Sequence, residues 1–240
     1  MATTSTQSAT QTWRKALFGI NAAIAIFGMG LSFILTALGT YPSTNTDPTL
    51  IGNPEQGAIG RILDFFTYFT IWSNILVAII MTMLFLKPNR DGFWFRVFRL
   101  DTVLMITVTG LVYNVVLASS ATNQGLEVVT NFFDHVLTPL ATLVVWLIAG
   151  PRGWINWRVI GAGLILPIIW LAWALARGAV INAYPYSFLD VAKWGYGSVL
   201  INVAAIVVLA LILCLILWGI DALISRLTKA SGTPRATASR

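Results

Sequence analysis

Gly197-Ser-Val-Leu-Ile-Asn-Val-Ala-Ala-Ile-Val-Val-Leu-Ala-Leu-Ile-Leu-Cys-Leu-Ile-Leu-Trp-Gly-Ile220 contains no ionisable side chain apart from a single thiol, and one amide, Asn202. A helix needs roughly 20 apolar residues at 1.5 Å rise to cross the hydrocarbon of a bilayer, and this run supplies them. Helices that are apolar on every side belong in a membrane rather than on the surface of a soluble domain. Five further, predominantly apolar runs lie upstream, at about 16–38, 62–86, 100–118, 132–148 and 159–176. The whole 240-residue chain is 57% hydrophobic and 10% charged, with mean hydropathy +0.79. The fold class read from this is all-α: a polytopic membrane protein with six transmembrane helices filling residues 14–228. Polar tails at 1–13 and 229–240 are expected to be disordered.

The segments between the runs agree. Arg14 and Lys15 precede the first, which is longer than the roughly 7–15 residues of a signal-peptide core and therefore reads as a retained helix. Tyr41 to Gly60 holds Pro42, Pro48, Pro54, Gly52 and Gly57, which is loop chemistry. Lys87-Pro88-Asn89-Arg90 ends the second run and Gly150-Pro151-Arg152-Gly153 the fourth. Trp154, Trp157, Trp170 and Trp173 read as interfacial aromatics, and Pro167 as a kink in the fifth helix.

Charge sets the orientation. With the N-terminus inside, Arg14, Lys15, Lys87, Arg90, Arg96, Arg99, Arg152, Arg158, Arg226, Lys229, Arg235 and Arg240 are cytoplasmic, leaving Arg61, Arg177 and Lys193 outside. Lys and Arg collect on the cytoplasmic side of membrane proteins, so both termini are expected there. The net charge of +6 is explained by this bias and not by nucleic acid, which would require a clustered basic face on a soluble module. A bacterial inner membrane is the expected location. The lone Cys214 excludes an intrachain disulfide, and one histidine without further ligands excludes a metal centre. No cofactor is implied.

Within this apolar frame Tyr68-Phe69-Thr70-Ile71-Trp72-Ser73-Asn74 is an anomaly, because hydrocarbon offers hydroxyls and amides no water. Asn131-Phe132-Phe133-Asp134-His135 is the second, and it holds the single histidine. The orientation brings both stretches to the outer leaflet, together with Tyr113, Asn114 and Asn202. On one continuous helix Thr67, Thr70 and Asn74 share a face, as do Asn131, His135 and Thr138. Two readings stay open: hydrogen-bonded glue between helices, or a polar cavity with a purpose.

Tyr68 to Asn74, Asn131 to Pro139 and above all Ala183-Tyr184-Pro185-Tyr186-Ser187-Phe188-Leu189-Asp190-Val191 resemble the bacterial branch of the androgen-induced-gene and androgen-dependent TFPI-regulating membrane protein family. The resemblance runs from the second span to the sixth. Animal members are intramembrane threonine hydrolases that cleave fatty acid esters of hydroxy fatty acids; they carry two nearby histidines in the fourth-span region, where this chain has one. The resemblance implies Thr70 as nucleophile and His135 as base, acting on a membrane lipid or fatty acid ester. Asn74 or Asn114 is the expected oxyanion donor and Asp190 the expected orienting acid, since Asp134 points about 100° away from His135 on a helix. Ser73, Asn202, Tyr184 and Tyr186 complete the expected substrate-binding set, with the two tyrosines read either as interfacial aromatics or as a lid. Two other classes remain: a lipid-binding or transport protein using an outer-leaflet cavity, and a structural or regulatory membrane protein. The sequence leaves the oligomeric state open.

Overall fold

In a computed structural model the described residues are 2–40, 57–120 and 123–230, with the backbone alone for 2–10, 120 and 229–230. Among the described residues six helical stretches are long and apolar enough to cross a membrane: Gln11–Leu38, Phe69–Leu86, Phe93–Leu117, Leu126–Ala149, Trp157–Ile181 and Val191–Thr228. The chain is an all-α, multi-pass membrane protein, with no strand among the described residues. The helices are α1 (Ala2–Leu38), α2 (Ala58–Phe65), α3 (Phe69–Leu86), α4 (Phe93–Val112), α5 (Leu126–Phe132), α6 (Thr138–Ala149), α7 (Trp157–Gly163), α8 (Ile165–Ile181) and α9 (Val191–Ala230). Single π turns, Tyr113–Leu117 and Phe133–Leu137, extend α4 and join α5 to α6.

Several boundaries differ from those that hydropathy draws. α1 is helical from Ala2, although a disordered tail is expected to residue 13, and α9 continues to Ala230. Most of the expected C-terminal tail (231–240) and of the first loop (41–56) lies outside the described residues. The third span starts at Phe93 and so takes in Arg96 and Arg99, which the sequence places before it. Arg99 is 3% exposed and lies with its guanidinium 4.0 Å from the centre of the Trp154 ring. An aromatic face is the environment in which a weakly hydrated guanidinium can be buried. Trp154 and Trp170 are accordingly core residues, not interfacial anchors. Arg177 similarly falls inside α8, where it pairs with Asp64 of α2 at 2.5 Å.

α3 and α4 form the centre of the bundle, each half buried over its most apolar stretch, whereas α9 buries 11% and lies at the edge. One apolar cluster joins α1, α3, α4 and α6 around Phe18, Val77, Leu84, Met105, Ile106 and Val145. A second, around Leu100, Leu104, Val159 and Cys214, ties α4 to α7 and α9, and a third packs Trp170, Ala174, Tyr184, Leu189 and Val199 together. Close approach is set by small residues. At Gly110 an added Cβ would come within 2.9 Å of Pro139, so α4 lies directly on the fourth span.

Candidate active site

The second span is not continuous. Its helix stops at Phe65 and restarts at Phe69, with Tyr68 extended at φ −77° and ψ 134°. No Pro or Gly causes this break; side chains sustain it by satisfying the backbone groups it frees. The indole N–H of Trp72 donates to the Phe66 carbonyl at 2.8 Å, and that of Trp170 to the Thr67 carbonyl at 3.0 Å. At the new helix start the Thr70 amide donates to the hydroxyl of Tyr186 at 3.3 Å. In a membrane such replacement partners are what makes irregular backbone tolerable. The break also rotates Thr67 away from the stripe it was expected to share with Thr70 and Asn74: its hydroxyl donates to the Leu63 carbonyl one turn back.

The fourth span is irregular for a different reason. Pro139 has no N–H, so carbonyls one turn earlier lose their helical donor. Two asparagines replace it: Asn74 donates to the Asp134 carbonyl and Asn114 to the His135 carbonyl, both at 3.2 Å. Each amide spends its second N–H on its own helix, Asn74 on the Thr70 carbonyl at 2.9 Å and Asn114 on that of Gly110 at 2.8 Å. Neither has a donor left for an oxyanion, which corrects the expectation that one of them would serve there. What they do is hold the π turn Phe133–Leu137 against α3 and α4.

That turn aims His135 at Thr70. Thr70 Oγ1 and His135 Nε2 are 3.1 Å apart, and the Tyr186 hydroxyl lies 3.4 Å from the same Oγ1. The imidazole stacks on Tyr113 with ring centres 4.1 Å apart. Its Nδ1 makes no hydrogen bond among the described residues. In the tautomer protonated on Nδ1, Nε2 keeps a lone pair and Thr70 is the donor of the 3.1 Å bond. Thr70, His135 and Tyr186 share the wall of a cavity of about 150 Å³, otherwise lined mainly by apolar side chains including Leu104, Val108, Ile168, Leu171, Val203 and Ile206.

Comparison with family models, with curated proteins and with solved structures yields no match.

The remaining expected site residues support the site without lining the cavity. Ser73 donates to the Thr70 carbonyl at 2.9 Å and meets the Thr109 hydroxyl at 2.8 Å. Asn202 donates to the Phe188 carbonyl at 2.9 Å, fastening the Tyr184–Asp190 loop to α9. Tyr184 is buried in the third apolar cluster, its ring so close to Gly178 that any Cβ there would collide with it. Asp190 is not an orienting acid: its carboxylate accepts the Lys193 amide at 3.0 Å and caps the start of α9. Asp134 turns to α1 and accepts the Ser32 hydroxyl at 2.6 Å. Thr109 and Tyr113 also line the cavity; they are four residues apart on one face of the third span, a spacing visible in the sequence but not singled out there. No group of three or more His, Cys, Asp or Glu able to hold a metal occurs among the described residues.

Proposed function

We propose that this protein is an intramembrane hydrolase of lipid esters, with Thr70 as nucleophile and His135 as general base. The observation carrying this reading is the 3.1 Å contact between Thr70 Oγ1 and His135 Nε2 in the wall of an apolar cavity. Glue looks different in this same molecule. Asn21 and Thr142 exchange hydrogen bonds of 3.2 and 3.3 Å between α1 and α6, and both are sealed at 0% exposure. Thr70 and His135 face a space that an acyl chain can enter. The resemblance noted above supports the same two residues and points to fatty acid esters of hydroxy fatty acids as substrate class, with a bacterial inner membrane as the setting.

A threonine hydroxyl is a weak nucleophile until a base within hydrogen-bond reach takes its proton. In the proposed reaction Thr70 Oγ1 bonds to the ester carbonyl carbon, its proton passes to His135 Nε2, and the carbonyl π electrons move onto oxygen. Collapse of this intermediate expels the alcohol, which takes the proton from His135 and leaves an acyl-threonine. Water then adds to the acyl carbon with His135 again accepting a proton, and the acid departs as Thr70 recovers its own. The acyl chain lies among the apolar walls from α4, α8 and α9.

The test uses purified protein in detergent with a fluorophosphonate probe and a panel of labelled lipid esters. Wild type is expected to label and turn over, while Thr70→Ala and His135→Ala each lose at least about a hundredfold in rate with unchanged melting. A second reading, lipid binding or transport without cleavage, is favoured by the almost wholly apolar cavity wall. It gains if wild type binds lipid but remains inert to every ester and to the probe, and that result ends the hydrolase proposal.

A further inference from the structure

We infer that the Tyr186 hydroxyl is a catalytic group, donating the hydrogen bond that holds the oxyanion while Thr70 attacks. The inference rests on the hydrolase reading above and assigns a donor that the asparagines cannot supply, because both N–H groups of Asn74 and of Asn114 are spent on backbone carbonyls.

The geometry is specific. The phenol oxygen accepts the Thr70 amide at 3.3 Å and faces the Phe69 amide as well. Accepting from the Thr70 amide leaves the hydroxyl its own proton to donate. Among the described residues the side-chain group within hydrogen-bond reach of that proton is Thr70 Oγ1 at 3.4 Å. When Oγ1 bonds to the ester carbon, the carbonyl oxygen becomes a substituent of the same carbon and lies one bond beyond Oγ1. A donor 3.4 Å from the nucleophile is then within hydrogen-bond reach of the developing negative charge. Tyr186 keeps its proton throughout. The transferred proton is that of Thr70, it goes to His135, and no further reactant is required.

Two features suit the phenol to this task. Its ring is fixed by an almost parallel stack on Phe188, with centres 5.2 Å apart, and by edge contact with Tyr68 at 5.7 Å. The donor is therefore positioned before substrate arrives, which is the condition under which such bonds accelerate a reaction. Burial also raises the phenol above its ordinary value of 10.0, so it remains a neutral donor across the physiological range.

Tyr186→Phe removes the oxygen and keeps the ring. On a long-chain nitrophenyl ester kcat is expected to fall about a hundredfold or more, with KM within about twofold and melting unchanged. A purely packing role would leave kcat intact. Where the variant does not fold, 3,5-difluorotyrosine at position 186 replaces it: the acidified phenol is expected to move the alkaline limb of the rate profile to lower pH and leave the acid limb in place. Wild type that turns over, with Tyr186→Phe retaining kcat or a fluorinated enzyme keeping its alkaline limb, overturns the inference and leaves Thr70 and His135 standing. Wild type without any turnover overturns both.

Discussion

At the scale of single residues, the two asparagines show how a polar group in a membrane helix can belong to a site without acting in it. Both were legible as anomalies, because an amide in hydrocarbon needs partners. Their roles were not, since these depend on which carbonyls Pro139 frees and on a π turn that no composition rule announces. Asn74 bridges the Thr70 and Asp134 carbonyls, so it couples the nucleophile's helix to the turn that carries the base. Asn74→Ala strands the Asp134 carbonyl, while that of Thr70 keeps the Ser73 hydroxyl, and is expected to cost about 1–3 kcal/mol in unfolding measured in detergent, with slower probe labelling as His135 loses its support. Full stability with abolished turnover would instead restore Asn74 as a direct participant. The pairing of Thr70 with His135 was within reach of the sequence because both lie a few residues inside spans entering from the same side. Tyr186 was visible as part of a loop motif, but its contact with the Thr70 amide depends on a break that the sequence does not mark.

At the scale of elements, that break and the two π turns decide the site. Hydropathy reads the second span as one helix from about 62 to 86, since Phe66, Thr67 and Tyr68 include neither Pro nor Gly. The interruption is held by Trp72, Trp170 and Tyr186, of which two come from the fifth span and the loop after it. Long-range partners of this kind cannot be read from local propensity. The π turn Phe133–Leu137 has its own support in α1, where Gly28 lets the backbone come close: an added Cβ would meet Phe133 Cβ and the Asp134 carboxylate, both at 2.7 Å. Gly30, two residues along the same helix, has nothing within 4 Å. Gly28→Ala is therefore expected to destabilise the protein by about 1–3 kcal/mol through overpacking, and to slow labelling by displacing the turn that carries His135. Gly30→Ala is expected to be neutral or mildly stabilising, as replacing Gly within a helix usually is. Equal effects in thermal unfolding would mean that the α1 contact does not position the turn.

At the scale of the whole molecule, the expected orientation and the site geometry constrain each other. Thr70 opens α3, Tyr113 follows the end of α4, His135 lies in the first part of the fourth span, and Tyr186 sits between α8 and α9. Alternating spans bring these positions to one end of the bundle, and their mutual contacts close the circuit. The fold class was accessible from apolar run lengths because the bilayer fixes them; the boundaries were not, because Arg99 and Arg177 find partners inside helices that hydropathy starts late in the one case and ends early in the other. The bias of Lys and Arg then predicts which side of the membrane the site faces, and this can be measured. Gln124 and Ser187 are exposed at the end that holds the site, and Asn89 at the opposite end. The native Cys214 is 1% exposed and is replaced by Ala to give a clean background. In intact cells a membrane-impermeant maleimide is expected to label Gln124→Cys and Ser187→Cys, and to reach Asn89→Cys only after permeabilisation. The reverse pattern would turn the molecule over and place Thr70 and His135 in the inner leaflet, so that an ester substrate would have to come from that side and water from the cytoplasm.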